Sequence, residues 1–227
     1  MPLATGSVAE RVAALRERVD DVTVAAGRER GSVAILAVTK SQPREAILDA
    51  LGAGISDIGE NYVQEARGKY DGLPRCTRHF IGHIQTNKAK AIVELFDVVQ
   101  SVDRLDAGLA LAKAAHVAGR RLRVLVQVNV SPSERFGATP AEAPRLAAQL
   151  REAGLDVDGV MAIGPVDGDV DAAFRTAQAT FDGVGGSTLS LGMSADWERA
   201  IERGSTMVRL GTALFGPRPA KERNAEP

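Results

Sequence analysis

Short runs of apolar residues alternate along the chain with longer segments in which apolar residues recur every three or four positions. The short runs have the length of buried strands, and the longer segments have the spacing of one helix face. We predict strands near Val33–Thr39, Ile55–Gly59, Arg78–Gly82, Val98–Val102, Leu122–Val130, Val157–Ile163, Thr188–Leu191 and Met207–Gly211. We predict helices over Ser7–Ala26, Pro43–Ala53, Tyr62–Tyr70, Asn87–Leu95, Arg104–Ala118, Pro140–Ala153 and Val170–Phe181.

Eight strands that alternate with helices in 227 residues are typical of an α/β protein with a single (β/α)8 TIM barrel. The alternative is an open, doubly wound sheet, which is disfavoured because no G-x-G-x-x-G sequence follows the first predicted strand. The sequence contains no linker that would divide the chain. We therefore predict one barrel over residues 1–216 and a disordered tail, rich in proline and charge, over residues 217–227.

Composition limits the kinds of partner that the chain can bind and the cell compartment that suits it. The formal net charge is -1, so the chain has no overall attraction to nucleic acid or to an anionic membrane. Cys76 is the single cysteine, which excludes an internal disulfide and fits a reducing compartment. The sequence shows no secretory signal and no apolar run of the roughly 18 residues that a membrane span needs. We expect a cytoplasmic protein.

The chemically unusual residues fall at the ends of the predicted strands, where a TIM barrel carries its active site. In strand order they are Lys40, Glu60 with Asn61, Gly82 with His83, Ser101, Asn129, Met161, Gly192 with Met193 and Ser194, and Arg209 with Gly211 and Thr212. The strands were predicted from the apolar pattern without reference to these polar residues. The coincidence therefore supports both the barrel and a functional site at its C-terminal end.

Lys40 and Arg209 together indicate a site for pyridoxal 5'-phosphate (PLP). A lysine at the end of an apolar strand is partly desolvated, which lowers its pKa and frees the amine to form a Schiff base. The alternative is a lysine that reaches solvent. Arg209 could donate to the ring nitrogen, which would then stay unprotonated and leave the ring a weak electron sink. The alternative for Arg209 is a structural ion pair.

Gly192, Ser194, Gly211 and Thr212 have the chemistry of a phosphate cup. Glycines allow the backbone to approach a ligand closely, and hydroxyl and N–H groups donate to a dianion. Each of these residues could instead belong to an ordinary loop. Ser194 is also a suitable N-cap for a helix that would run through Ile201.

Two further polar positions have competing interpretations. Asn61 could hydrogen-bond the phenolic oxygen of the cofactor, or it could be an ordinary helix N-cap. His79 and His83 are four residues apart, but they straddle a strand end and no third ligand is apparent. We therefore predict no metal site.

With these residues in view, the chain resembles the YggS/PROSC-type PLP homeostasis proteins, which are related in fold to the N-terminal barrel of alanine racemase. The resemblance runs from about Leu36 to Gly216. Its motifs are Ala37–Lys40, Gly59–Glu65, His79–Lys88, Gln127–Asn129, Gly159–Ile163, Leu191–Asp196 and Gly204–Thr212. The resemblance implies a Schiff base on Lys40, a ring-nitrogen contact from Arg209, and phosphate contacts from Ser194, Gly211 and Thr212. It also suggests Met193 as a cofactor contact.

The chain departs from this family at two positions. Members often carry a lysine where this chain has Gln42, and another where it has Arg135. Both lysines are candidate amines for handling PLP, whereas an arginine does not form a Schiff base at ordinary pH. This chain therefore lacks the residues for a transfer route through two lysines.

The resemblance favours a non-catalytic, monomeric PLP carrier or regulator that supplies PLP-dependent apo-enzymes. One alternative is a PLP-dependent amino-acid racemase with weak or no activity. Such a racemase needs a second acid or base, which related enzymes take from a tyrosine of a further domain and a partner subunit. The chain ends after the barrel, and its only tyrosines are Tyr62 and Tyr70, the latter on a predicted surface helix. A third alternative is a phosphate-binding barrel enzyme without PLP, in which Lys40 contacts phosphate or sugar.

Overall fold

A closed barrel of parallel strands forms the centre of the computed structural model, which describes residues 6–131 and 136–216. Its strands are β1 (Ala34–Val38), β2 (Asp57–Glu60), β3 (Thr77–Phe80), β4 (Val98–Val102), β5 (Arg123–Val128), β6 (Asp156–Ala162), β7 (Thr188–Ser190) and β8 (Met207–Leu210). Neighbours in sequence pair in order, and β8 pairs with β1 from Ala34 beside Met207 to Ala37 beside Leu210. Because this pairing closes the sheet, the predicted TIM barrel is confirmed and the open sheet is wrong.

Helices surround the barrel and connect its strands. They are α1 (Val8–Ala25), α2 (Arg44–Gly52), α3 (Val63–Lys69), α4 (Ala89–Leu95), α5 (Leu105–Val117), α6 (Ala143–Glu152), α7 (Val170–Val184), α8 (Trp197–Glu202) and α9 (Thr212–Phe215), with a 3-10 turn at Thr86–Lys88. All seven predicted helices are present with shifted ends. The pattern missed the 3-10 turn and α9, because one turn is too short to show helical periodicity.

Helix α1 precedes the first strand and packs against the neighbouring helices α2, α8 and α9. Ser7 and Glu10 form a capping box at its start, and this satisfies N–H groups that have no intrahelical acceptor. Val12, Leu15 and Val19 lie on its buried face at helical spacing. The helix thus gains most of its stability from the apolar stripe that it places against the barrel helices.

The strands are buried on both faces, as expected for a parallel sheet covered by helices. Leu36, Val99 and Val126 are fully buried on β1, β4 and β5. Phe96 packs edge-on against Phe80, with ring centroids 5.2 Å apart, in the layer between sheet and helices. The apolar layers hold the strand ends in fixed positions, and these ends carry the predicted site.

One prediction about burial is wrong. Tyr70 does not lie on a surface helix but caps the C-terminal end of α3 with its side chain fully buried. Its ring stacks edge-on with Phe96, and its hydroxyl lies 3.0 Å from Oγ1 of Thr39. Seven helical residues are too few for periodicity to separate a buried end from an exposed one.

Some predictions concern residues outside the described ranges. Arg135 and the tail over residues 217–227 belong to this group. No helix in the described ranges has the length and hydropathy that crossing a membrane requires. Within the same ranges, no three His, Cys, Asp or Glu side chains are grouped closely enough to hold a metal ion.

We expect Gly159→Ala to lower the free energy of unfolding by about 2–4 kcal/mol, as left-handed strain and overpacking together cost in other proteins. Gly159 on β6 has φ +142, and an added Cβ would lie 2.0 Å from the carbonyl oxygen of Thr188 on β7. Gly68→Ala is the matched control, because Gly68 lies inside α3 with nothing within 4 Å of an added Cβ. The control should be neutral or slightly stabilising. Equal urea midpoints for the two variants would contradict this account of Gly159.

Candidate cofactor-binding site

Lys40 lies two residues beyond the end of β1, next to the end of β8. Leu36 is in register with Arg209, and Ala37 with Leu210, so Lys40 and the Gly211–Thr212 pair continue from neighbouring strand ends. The Lys40 side chain is half-buried. Among the described residues its ammonium has no hydrogen-bond or ion-pair partner. The amine is therefore available to a ligand at the C-terminal end of the barrel.

Arg209 is buried inside the barrel with only 4% of its surface exposed. Nη1 donates to the carbonyl oxygen of Ser190 at 2.7 Å and to its hydroxyl oxygen at 2.8 Å, and Nη2 donates to the carbonyl oxygen of Ala162 at 2.8 Å. Burial lowers the pKa of Arg209 to about 10, partly offset by Asp196, so the group stays charged at neutral pH. It forms no ion pair within the described ranges, and the alternative of a structural ion pair is wrong.

Asn61 follows β2 and has an unsatisfied polar atom. Its side-chain oxygen Oδ1 is buried without a hydrogen-bond partner among the described residues. The N-cap of α3 is Tyr62 and not Asn61, so the predicted capping role is wrong. The backbone of Asn61 approaches Gly82 so closely that an added Cβ at Gly82 would lie 2.0 Å from its carbonyl oxygen. This contact fixes the Asn61 loop at the mouth of the barrel.

The turn that follows Lys40 is strained and firmly held. Ser41 has φ 60, a left-handed conformation that costs a non-glycine residue about 1–3 kcal/mol. The Ser41 N–H donates to Oε2 of Glu65 at 2.9 Å, and the Lys69 ammonium donates to the carbonyl oxygen of Thr39 at 3.0 Å. The backbone on both sides of Lys40 is thereby anchored to α3.

A buried carboxylate joins this turn to the Asn61 loop. Glu60 is fully buried, and its Oε1 accepts the N–H of Asn61 at 2.7 Å. Its Oε2 accepts the hydroxyl of Thr39 at 3.2 Å and pairs with the Lys69 ammonium at 3.2 Å. Burial raises the pKa of Glu60, and Lys69 offsets only part of that effect. One side chain thus connects two of the loops that present predicted ligand contacts.

The predicted phosphate cup is partly assembled. The hydroxyl of Thr212 donates to Oγ of Ser194 at 2.9 Å, so the structure brings these two exposed side chains together. Thr212 also begins α9, in which the N–H groups of Leu214 and Phe215 donate to the carbonyl oxygen of Gly211. An added Cβ at Gly211 would meet Val38 only at an ordinary 3.6 Å. Packing alone therefore does not require glycine at this position, which is consistent with close approach by a ligand.

Neighbouring residues modify the predicted cup. Gly192 has φ +87, and an added Cβ would lie 2.6 Å from Cβ of Ala200, so packing requires this glycine. The N-cap of α8 is Asp196 and not Ser194, and the predicted capping role of Ser194 is wrong. The N–H of Met193 donates to Oδ1 of Asp196 at 2.6 Å, so this N–H is already used. A contact of Met193 with a ligand would therefore be made by its half-exposed side chain.

Cavities lie beside several of these residues. One of about 800 Å³ borders Ser194 and Thr212, and a smaller one of about 190 Å³ borders Asn61 and His83. Another, of about 510 Å³, opens around Met207 at the N-terminal ends of the strands and contains none of the predicted contacts. Of these three cavities, two border predicted contacts, and none contains both Asn61 and Thr212.

Sequence reasoning missed the polar partners beneath the site. Gln100 on β4 and Ser190 on β7 are fully buried, and a hydrogen bond of 2.8 Å joins them across the barrel. The available signal was one glutamine in the apolar run Val98–Val102. Lys69 was also missed, because in sequence a helical lysine that pairs with a buried carboxylate looks the same as an exposed one.

The donor set fits PLP. An aldehyde requires an amine without a partner, which Lys40 supplies, and an unprotonated pyridine nitrogen requires a donor. Three of the five N–H groups of Arg209 are used by Ser190 and Ala162, and within the described ranges two remain for a ligand. The unsatisfied Oδ1 of Asn61 could accept a hydrogen bond from a phenolic group. Fold and site together define a barrel of the kind that binds a phosphorylated aldehyde cofactor.

Comparisons with known proteins agree with this class. Residues 11–219 match the family model for the alanine racemase N-terminal domain. The chain is 41% identical to the pyridoxal phosphate homeostasis protein of Pseudomonas aeruginosa, over 93% of this chain and 96% of that one. It is 36% identical to the protein of the same name from Escherichia coli K12, over 93% and 97% of the two chains. The chain therefore belongs to the alanine racemase N-terminal domain family and, within it, to the pyridoxal phosphate homeostasis proteins.

A solved structure from this group has the same fold. PipY of Synechococcus elongatus is 33% identical, and the similarity covers 92% of this chain and 100% of PipY. The TM-score is 0.81 for PipY without PLP and 0.79 for PipY with PLP bound. The arrangement of this barrel is thus similar to that of a protein whose structure contains PLP.

We expect Lys69→Met to lower the free energy of unfolding by about 3–5 kcal/mol at neutral pH, the usual cost of leaving a buried charge unpaired. Glu60 would remain buried without its cation, which would raise its pKa further. Because the folded-state pKa then exceeds the unfolded-state value, the cost appears as the pH rises through the folded-state pKa and vanishes below the unfolded-state value. Urea unfolding at several pH values measures this.

Lys90→Met is the matched control for that measurement. Lys90 is 86% exposed on α4 and lies 3.9 Å from Glu94, so its loss should leave stability nearly unchanged at every pH. If Lys69→Met and Lys90→Met lowered the free energy of unfolding equally, or if the loss in Lys69→Met did not change with pH, the assigned role of the Glu60–Lys69 pair would be wrong.

Proposed function

We propose that this protein binds PLP at the C-terminal end of its barrel and acts in PLP homeostasis as a carrier or regulator. The observation that carries the proposal is the Lys40 ammonium, which has no partner among residues 6–131 and 136–216, beside a strand that buries the Arg209 guanidinium. The names of its relatives in Pseudomonas aeruginosa and Escherichia coli, and the PLP-bound PipY structure, support it. The Lys40 amine and the hydrogen-bond donors of the site support the proposal independently of these relatives.

Each predicted contact has a role in the proposal. Lys40 provides the amine that forms a Schiff base with the cofactor aldehyde, with loss of one water. Arg209 donates to the ring nitrogen, and Asn61 contacts the phenolic oxygen. Ser194, Gly211 and Thr212 bind the phosphate, and the side chain of Met193 borders the ring.

Arg209 also argues against efficient racemisation. When bound, PLP supplies an electron sink for carbanion chemistry, and that sink is strongest when the ring nitrogen is protonated. A guanidinium whose pKa is about 10 donates a hydrogen bond but keeps its proton. Tyr70 does not supply the second acid or base that a racemase needs, because it is buried against Thr39 and burial raises its pKa.

Three features of the proposal go beyond the chemistry of the site. They are the monomeric state, the delivery of PLP to apo-enzymes, and the cytoplasmic location. Each stays a prediction. The third alternative, a phosphate-binding barrel enzyme without PLP, would give a colourless protein after incubation with PLP and removal of the excess.

We expect borohydride reduction of the PLP-loaded protein to fix the cofactor on Lys40. After digestion, mass spectrometry should find the reduced adduct on the peptide that contains Lys40. Lys40→Ala should lose the adduct and its absorption band but keep weak binding through the phosphate contacts. Lys90→Ala, at an exposed position, should retain both. An adduct confined to Lys69 or Lys88 would show that the assignment of Lys40 is incorrect.

We expect exchange of the α-proton of alanine or serine to be far slower than about 1 per second, an ordinary enzymatic rate. The reason is the unprotonated ring nitrogen opposite Arg209. Exchange in deuterated water, followed by proton NMR with the PLP-loaded protein, measures the rate, and Lys40→Ala gives the background. Rapid exchange with racemisation would favour the racemase alternative over the carrier.

A further inference from the structure

Five side chains form a row of hydrogen bonds through the interior of the barrel, which we name the interior donor chain. Its members are Arg209, Ser190, Gln100, His79 and Asp57, in that order, from strands β8, β7, β4, β3 and β2. The link between Gln100 and Ser190 joins strands that are not neighbours in the sheet, so the row crosses the lumen. It begins at the proposed ring-nitrogen contact and ends at the first residue of β2.

Arg209 and the placement of the Gln100 amide together set the direction of every hydrogen bond in this row. A guanidinium only donates, so the Ser190 hydroxyl oxygen must accept from Nη1 at 2.8 Å. The hydroxyl hydrogen then goes to Oε1 of Gln100 at 2.8 Å. The amide nitrogen of Gln100 is thereby turned towards two acceptors, Nδ1 of His79 at 2.9 Å and Sδ of Met207 at 3.2 Å.

The same logic fixes the state of His79. Because Nδ1 accepts from Gln100, the ring of a neutral His79 carries its proton on Nε2 and donates it to Oδ1 of Asp57 at 2.9 Å. Burial raises the pKa of Asp57, but the hydrogen bonds from His79 and Ser56 help to bring it below its ordinary value. A second proton on His79 would lie on Nδ1 and point at the amide N–H of Gln100, so two donors would face each other. The neutral Nε2–H tautomer is the form that completes the row.

We propose that His79 is a positioning residue for the ring-nitrogen contact: held between Asp57 and Gln100, it fixes Gln100, which holds the Ser190 hydroxyl oxygen beside Nη1 and so orients the Arg209 guanidinium. The inference rests on the proposed function and adds residues that do not touch the cofactor. Without the row, the Ser190 side chain is no longer held by Gln100 and its oxygen can move away from Nη1. Arg209 would then keep only the carbonyl oxygens of Ser190 and Ala162, and its two remaining N–H groups would lose their fixed direction.

The first experiment detects, in the protein without PLP, which ring nitrogen of His79 carries the proton. Nitrogen-15 NMR of the histidine ring nitrogens should show an unprotonated Nδ1 and a protonated Nε2 for His79. Gln100→Glu presents a carboxylate oxygen to Nδ1 in place of the amide N–H, so His79 should carry a proton on Nδ1 in this variant. A wild-type His79 with its proton on Nδ1, or one unaffected by Gln100→Glu, would refute the row.

The second experiment tests the effect of the row on Arg209, using PLP labelled with nitrogen-15 in the ring. Ser190→Ala should change the ring-nitrogen chemical shift and raise the dissociation constant for PLP about tenfold, the scale of one hydrogen bond to a charged group. Ser205→Ala is the matched control. Ser205 is equally buried and bonds to Leu189, Leu191 and Met207, but it lies outside the row. The control should leave shift and affinity unchanged.

Substitutions at His79 separate positioning from folding. His79→Gln supplies one acceptor and one donor and should restore most of the wild-type shift, whereas His79→Phe should not. If Ser190→Ala and Ser205→Ala gave the same ring-nitrogen shift, the positioning role would be refuted while PLP binding on Lys40 stood. A wild-type protein that failed to bind PLP at all would instead refute the proposed function, and this inference with it.

Discussion

The structure depends on one buried cation. The Arg209 guanidinium lies inside the barrel, where an unpaired charge would be costly, and carbonyl and hydroxyl oxygens of β6 and β7 stabilise it. Within the described ranges it forms no ion pair. Because these oxygens belong to the last residues of β6 and β7, the guanidinium is solvated only when β6, β7 and β8 lie side by side. Assembly of these three strands and formation of the proposed ring-nitrogen contact are therefore a single requirement.

The opposite side of the site is organised by a buried anion. Glu60 joins the turn at Lys40, the loop at Asn61 and helix α3 through contacts with Thr39, Lys69 and two backbone N–H groups. These contacts hold the left-handed Ser41 in place, while in the part of the chain that the structure describes the Lys40 amine has no partner. The scaffold thus uses its charges to fix the backbone around Lys40, the amine proposed to bind the cofactor.

The pattern of apolar residues was sufficient to predict the barrel and the strand-end residues. Apolar runs locate each strand, and a parallel barrel brings the strand ends together, so the sequence alone predicted Lys40 and Arg209 on neighbouring strands of the barrel. The link between Gln100 and Ser190 could not be predicted, because the two residues are 90 positions apart and on strands that do not pair. The burial of Tyr70 and the partners of Lys69 depend likewise on how α3 packs, which the short helix does not reveal in its pattern.

The fixed direction of the interior donor chain gives the barrel an oriented row of dipoles. Each O–H or N–H points away from Arg209 and towards Asp57, so the negative end of the row faces the cation and the positive end faces the carboxylate. The row is a side-chain counterpart of the helix macrodipole, which favours anions at its positive end and cations at its negative end. The row therefore links Arg209 to Asp57 through the lumen, whereas in the sheet the two residues are separated only by β1, whose Leu36 pairs with both.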